Sequence, residues 1–430
     1  MEITPFSPIG LTVLTIFLAG LALIILEVQL EMDKFKPALL MMSSVAVIGT
    51  YYLMTGSNPE QLAALKKMQA ETKESLFALI AFMAFMWMIV EILNERNVFG
   101  ALNEFLLDRG LGPKGIFWAM GGLSALLSPF ISSITTAMIF GKSIRNISTD
   151  ERYTHLVLCN IIVASNSGIW FIGTSTSLMI ILAHKITLAH LLLLLPAAVF
   201  GWLLSAMVLH LFYLKPLDQQ GLIRVGGDRE VLKPGGGSLA IVSALAIIGA
   251  VALNMAMQVD IEFALGTGLG FIVMYIWLLR RQGIEIELNV QLQKVEWSTL
   301  MYYIGIITGM AALNHVGWLS YISRLYETQS PMLVNVTLGL ISSFIDNNLI
   351  EAAALMSNPQ LDVSQWSLNA MMVGIGGSLT VVGSAAGVMT MSLDKSYTFS
   401  AHLRFLPAVL ANFIGSFGLW YLQFEVLHWI

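Results

Sequence analysis

The sequence predicts an all-α polytopic membrane protein, folded as two inverted repeats that each carry a re-entrant hairpin and a broken helix. Three observations predict it. The first is composition. Of the 430 residues 57% are hydrophobic and only 11% charged, against roughly 25% charged in soluble domains. Many apolar runs reach the ~20 residues that a helix needs to cross a bilayer. The second is a polar interruption. The stretch SSFIDNNLIEAAALMS at Ser342–Ser357 sets Asp346, Asn347, Asn348 and Glu351 inside an apolar region. A carboxylate at membrane depth costs roughly 2.5–3.5 kcal/mol on insertion scales, so such a residue faces a partner, a cavity or an ion. The third is a repeat. SPFISSITTAMIFG at Ser128–Gly141 aligns with the same stretch at an offset of 214, which puts Ser132-Ser133 on Asp346-Asn347. VASNSGIWFIGTSTSLM at Val163–Met179 aligns with VGIGGSLTVVGSAAGVM at Val373–Met389 at an offset of 210. Thr187 and Pro196 fall on Thr398 and Pro407 at an offset of 211. Polar interruptions at corresponding places in two halves of a membrane chain mark the site of a secondary transporter.

The elements follow in order. Leu11–Leu30 reads as a retained first span, because no basic segment or cleavage site precedes it. Pro37–Met54 is the second span, and Thr55–Glu74 a polar stretch that ends an N-terminal unit of residues 1–74. The first repeat covers 75–214. It opens with a span at Ser75–Leu93 and an interfacial segment at Asn94–Asp108. Lys114–Ile144 then reads as a hairpin interrupted by SPFISS, and Thr154–Leu182 as a helix broken by SNSG and GTSTS. Leu188–Leu214 spans again. Residues 215–296 are a charged, Gly-rich loop at Lys215–Gly237, two connecting spans at Ser238–Met257 and Phe263–Leu279, and the polar segment Arg280–Glu296. The second repeat, 297–430, restates the plan. It has a span at Trp297–Leu313, an interfacial stretch at His315–Glu327 and a hairpin at Met332–Met356. A broken helix at Trp366–Met391 and a last span at His402–Leu427 complete it. Alternating strands of ~10 residues, the mark of an outer-membrane barrel, are not seen.

Charge sets the orientation. A hairpin does not change side, so each repeat crosses three times, and two spans separate the repeats. Five crossings invert the second repeat relative to the first. With the N-terminus outside, 17 of the 22 Lys and Arg fall on inner segments and 5 on outer ones. Cytoplasmic loops retain positive charge, so both termini are expected outside, periplasmic in a bacterial inner membrane.

Irregular backbone at membrane depth must be buried in protein or line a wet cavity. The interruptions offer Ser132, Ser133, Thr135 and Thr136 in the first hairpin, and Asn166, Ser167, Thr174, Ser175 and Thr176 in the first broken helix. The second hairpin offers Asp346 and Asn347, and the second broken helix Gly376, Gly377, Ser378, Gly383 and Ser384. Their hydroxyls, amides and freed carbonyls are hard oxygen donors that suit a small alkali cation or, through helix N-termini, an anion. Ser and Thr also serve membrane helices as packing contacts. No Lys or Arg lies near Asp346 in the sequence. Asp346 is therefore the expected shared cation and proton site, with Na+ held by Asp346, Asn347 and Ser384. Glu91, in MWMIVEIL, and Glu351 are further candidates for proton coupling. The seven histidines show no metal-ligand spacing. The single cysteine, Cys159, excludes an intrachain disulfide. The chain has no GxxxxGK[ST] loop and no soluble catalytic domain, so a transporter is expected and not an enzyme, with no cofactor and no nucleic-acid partner.

From Ser75 onward the sequence resembles the NhaD-type sodium/proton antiporters of the ion transporter superfamily. The residues that carry the resemblance are MIVEILNERNVF around Glu91, SPFISSITTAM, NIIVASNSG with GTSTSLM, SSFIDNNLIEAAALM and, above all, GIGGSLTVVGSAAGVM at Gly374–Met389. The resemblance implies an inverted-repeat fold, a homodimer, alternating access, and exchange of Na+ or Li+ for H+ across a bacterial inner membrane. By matched position it implies functional roles for Glu91, Asn166, Asp346, Asn347, Ser378 and Ser384. The sequence departs from the pattern at two places. Ser132-Ser133 stands where the family has Asp-Asn, and Thr174 where it has a further Asp. Glu351 is outside the pattern. Two other readings stay open on the residues alone: a sodium-coupled anion (dicarboxylate-like) symporter of the same superfamily, and a non-transporting paralogue.

Overall fold

A computed structural model describes residues 4–30, 32–56, 59–108, 111–148, 150–215, 231–294 and 296–429. Among these residues the chain is helical, and eight helices are long and apolar enough to cross a membrane. The protein is a multi-pass α-helical membrane protein.

The N-terminal spans are Pro8–Ile25 and Phe35–Thr55, the latter in two helical pieces that meet at Met42. One expectation fails here. The polar stretch Thr55–Glu74 is not a separate linker: from Pro59 it is helical and runs unbroken into the third span as Pro59–Glu95, 37 residues long. The physical reason is local. Pro59 suits the first helical turn, and the residues that follow, Glu, Gln, Leu, Ala, Lys and Met, are good helix formers with no Gly among them. Polarity ended the apolar run but not the helix. Most of the charged loop at Lys215–Gly237 lies outside the described residues.

The interruptions fall where the sequence put them. Pro113–Ile131 and Ser133–Ile147 pack on each other and meet at the single residue Ser132. Ser132 has φ +78° and ψ 153°, a backbone region that L-residues rarely adopt and that costs on the order of 1–3 kcal/mol. In the second repeat Pro331–Ile341 and Asn347–Ser357 are joined through Ser342–Asp346. The first broken helix is Glu151–Asn166, a 3-10 turn at Gly168–Trp170, and Ser175–Leu182. The second is Val363–Gly376 and Ala385–Leu393.

Each break lies against the hairpin turn of its own repeat, and glycine makes that approach possible. A Cβ on Gly173 would come within 2.2 Å of the Pro129 carbonyl oxygen, and one on Gly383 within 2.6 Å of those of Ser342 and Ser343. The two repeats then interlock. Ser175–Leu182 packs on the outgoing helix of the second hairpin, Asn347–Ser357, and Ala385–Leu393 packs on that of the first, Ser133–Ile147. The closing spans of the two repeats, Leu195–Leu209 and Leu406–Tyr421, pack together with Gly201 against Ser416. Small residues let membrane helices approach this closely. The second span packs likewise on Trp297–His315, with Gly305 against the Ala38 backbone.

Candidate functional site

All four interruptions end at the N-terminus of a helix, and three use their own polar side chain as the cap. Ser132 accepts from Thr135 N at 3.3 Å, Asp346 from Asn348 N at 3.0 Å, and Ser384 from Gly387 N at 3.3 Å. Thr174 occupies the fourth cap position, and its hydroxyl bonds that of Ser177. The first amides of a helix have no partner inside it, so side-chain oxygens there satisfy real donors. At each interruption these amides meet the carbonyl end of the preceding half-helix. Both polarities are therefore present at the breaks.

Side chains from opposite repeats bond across the centre. Asn166 Nδ2 donates to Ser384 Oγ at 2.9 Å, with both residues buried. Ser175 donates to Asn348 Oδ1, which couples the first broken helix to the second hairpin. Asn347 is buried at the first position of the helix that Asp346 caps. Ser133 opens the outgoing helix of the first hairpin. Ser378 is buried in the second break, where its hydroxyl bonds the Ile375 carbonyl and its own carbonyl meets His402 Nε2 at 2.9 Å. Gly383 holds the second break against the second hairpin turn.

Asp346 has no cation near it in the sequence, but it has one in space. Lys34 Nζ lies 2.7 Å from Asp346 Oδ2. The pair joins positions 312 residues apart, which is why nothing near Asp346 in the sequence announced it. The side chains are 20% and 10% exposed. The other carboxylate oxygen, Oδ1, accepts from both Asn348 N and Asn348 Nδ2, the latter at 2.7 Å. Lys34 also sits 4.4 Å above the Tyr302 ring. Asp346, Lys34, Glu27 and Tyr302 line one small pocket, with Phe344 and Val382 among its apolar lining.

The two other acidic candidates lie apart from this cluster in character. Glu91 is half-buried near the end of the long helix Pro59–Glu95. Glu351 is fully buried, and neither of its carboxylate oxygens has a hydrogen-bond partner among the described residues. Sequence reasoning missed Lys34 and Tyr302, and read Glu27, which ends the first span, as an interfacial residue. No local signal marked them: Glu27 and Lys34 flank the first loop, where charge is ordinary, and Tyr302 is an aromatic residue in a span.

Comparison with known proteins finds relatives along nearly the whole chain. The family model described as CitMHS, citrate transporter, matches residues 21–374. The chain is 28% identical to the Na(+)/H(+) antiporter NhaD of Halomonas elongata over 97% of this chain and 88% of that one. It is 28% identical to the protein of the same name in Vibrio cholerae, over 95% and 91% of the two chains. Sodium/proton antiporter 1 of Arabidopsis thaliana is 27% identical over 88% of this chain and 66% of its own length.

Proposed function

We propose, for a chain that belongs to the CitMHS family, that it is a secondary transporter exchanging Na+ or Li+ for H+ by alternating access, with Asp346 as the shared cation and proton site. The family description names citrate, whereas the relatives that align over nearly the whole chain are named for Na+/H+ exchange. The observation that carries the reading is Asp346 itself. It is a carboxylate at the turn of the second hairpin that lines a pocket. A carboxylate is a ligand for a small cation or a proton and not for an anion.

Na+ and H+ each bind through a carboxylate oxygen, so proton and ion compete for one group. Asn347 and Ser384 supply neutral oxygen ligands. Ser132, Ser133 and Thr174 complete the shell from the first repeat, and Asn166, Ser175, Ser378 and Gly383 shape the breaks around it. Glu91 and Glu351 are the candidates for a further proton. The membrane is a bacterial inner membrane, both termini are periplasmic, and the working unit is a homodimer.

Everted membrane vesicles test the reading. Addition of Na+ should dissipate a preformed pH gradient, and labelled citrate should not accumulate. Citrate uptake driven by Na+ without proton exchange would replace the antiporter by a sodium-coupled anion carrier.

A further inference from the structure

We infer that Lys34 is a resident counter-cation of Asp346, an ammonium that an incoming Na+ must displace, and that it thereby sets how tightly the carrier holds Na+. The inference rests on the reading of Asp346 as the cation carboxylate.

Three observations carry it. First, the two oxygens of Asp346 are divided. Oδ1 is taken by the backbone and side-chain nitrogens of Asn348, and Oδ2 by Lys34 at 2.7 Å. A cation arriving from the pocket meets the carboxylate only where the ammonium already sits. Second, the ammonium belongs to a different part of the fold. Lys34 immediately precedes the second span, whereas Asp346 caps the outgoing helix of the second hairpin. Asn348 serves the cap from within the same helix, so the local structure of Asp346 does not need Lys34. Third, a displaced ammonium has somewhere to go. Glu27 lines the same pocket. The Tyr302 ring offers its face at 4.4 Å, a contact that holds an ammonium without a carboxylate. A pair that served only to neutralise Asp346 would have no use for a second acid beside the lysine.

The test is Na+-dependent exchange by purified protein in proteoliposomes at one fixed pH, comparing Lys34→Met and Lys34→Arg with the wild type. Lys34→Met removes the competitor. The apparent KM for Na+ should fall about tenfold, the equivalent of ~1.4 kcal/mol of lost competition. Lys34→Arg keeps the charge and offers a planar fork that grips a carboxylate through two bonds, so its KM should rise. The opposite signs are the signature. A merely structural pair raises KM, or lowers only the amount of folded protein, in both variants. If Lys34→Met does not reach the membrane, Lys34→Gln, which is uncharged but still a donor, takes its place with the same expected direction. Wild-type exchange with KM unchanged, or moved the same way in both variants, overturns the inference and leaves the proposed function standing. Absence of Na+-dependent exchange by the wild type overturns both.

Discussion

Asp346→Asn changes one charge and almost no volume, which makes it the sharpest perturbation of the site. The amide oxygen of the new side chain would still cap the helix, because the bond from Asn348 N needs only an acceptor. What is lost is the partner of Lys34, whose side chain is 20% exposed. Removing one member of a buried ion pair costs about 3–5 kcal/mol, and the presence of Glu27 in the same pocket places the expected loss near ~3 kcal/mol. Exchange should vanish altogether, since neither Na+ nor a transferable proton has a carboxylate to occupy. The double variant Lys34→Met with Asp346→Asn replaces the pair by neutral groups, which is close to neutral in stability. It should recover most of the lost stability and none of the transport. Two measurements separate these effects. Thermal unfolding in detergent reads stability, and Na+-dependent collapse of a pH gradient in everted vesicles, normalised to inserted protein, reads exchange. Wild-type exchange by Asp346→Asn would refute the mechanism. A double variant no more stable than the single one would show that Lys34 and Asp346 are not energetically paired.

The remaining predictions address the scaffold, the topology and the second acid. Gly173→Ala drives a methyl group to 2.2 Å from the Pro129 carbonyl, so it should cost on the order of 1–3 kcal/mol by overpacking and lower the unfolding temperature. Gly270→Ala, with nothing within 4 Å, should gain stability by up to about 1 kcal/mol as a helix-interior glycine replaced. Equal effects at the two sites would count against the close contact of break and hairpin. A cysteine at Gly235 in a Cys159→Ser background should escape an impermeant thiol reagent applied to intact cells, and its labelling from outside would reverse the proposed orientation. Glu351→Gln should fold at least as well as the wild type, because an unpartnered buried carboxylate is replaced by a neutral group. If Glu351 carries the second proton, this variant's exchange should lose its response to an imposed membrane potential. A response as large as the wild type's would remove Glu351 from the proton count.

What the sequence made legible was local in its physics. A polar or glycine-rich break inside a long apolar run is visible without any partner, because bilayer-depth backbone must be buried or wet wherever it is irregular. The hairpin turn at Ser132, the breaks at Gly173 and Gly383 and the carboxylate at Asp346 were therefore readable. The repeat alignment went further: it paired Ser132-Ser133 with Asp346-Asn347, and in the structure Ser132 and Asp346 are both helix caps. Two things were not legible. The helix at Pro59–Glu95 was divided because hydropathy reports solvent and not backbone conformation. The partner of Asp346 was missed because an ion pair across 312 positions is a product of how the second span packs on Trp297–His315, and no periodicity carries that information.

The ion pair also changes how exchange is kept coupled. An unpaired buried carboxylate would hold the empty carrier in place by the cost of its own charge. Here that cost is already offset, since Asp346 faces the ammonium of Lys34, and burial of charge alone no longer distinguishes the empty carrier from a loaded one. The restraint has to come from the bond itself, which ties the second hairpin to the residue before the second span. Na+ or a proton on Asp346 each cancels the charge that holds Lys34, so each loaded state gives up the tie and the empty state keeps it. The ammonium released in either case stays in the pocket that Glu27 lines. On this reading the first repeat needs no carboxylate at Ser132, Ser133 or Thr174 to prevent slippage. One acid and one lysine give the two loaded states the same freedom and deny it to the third.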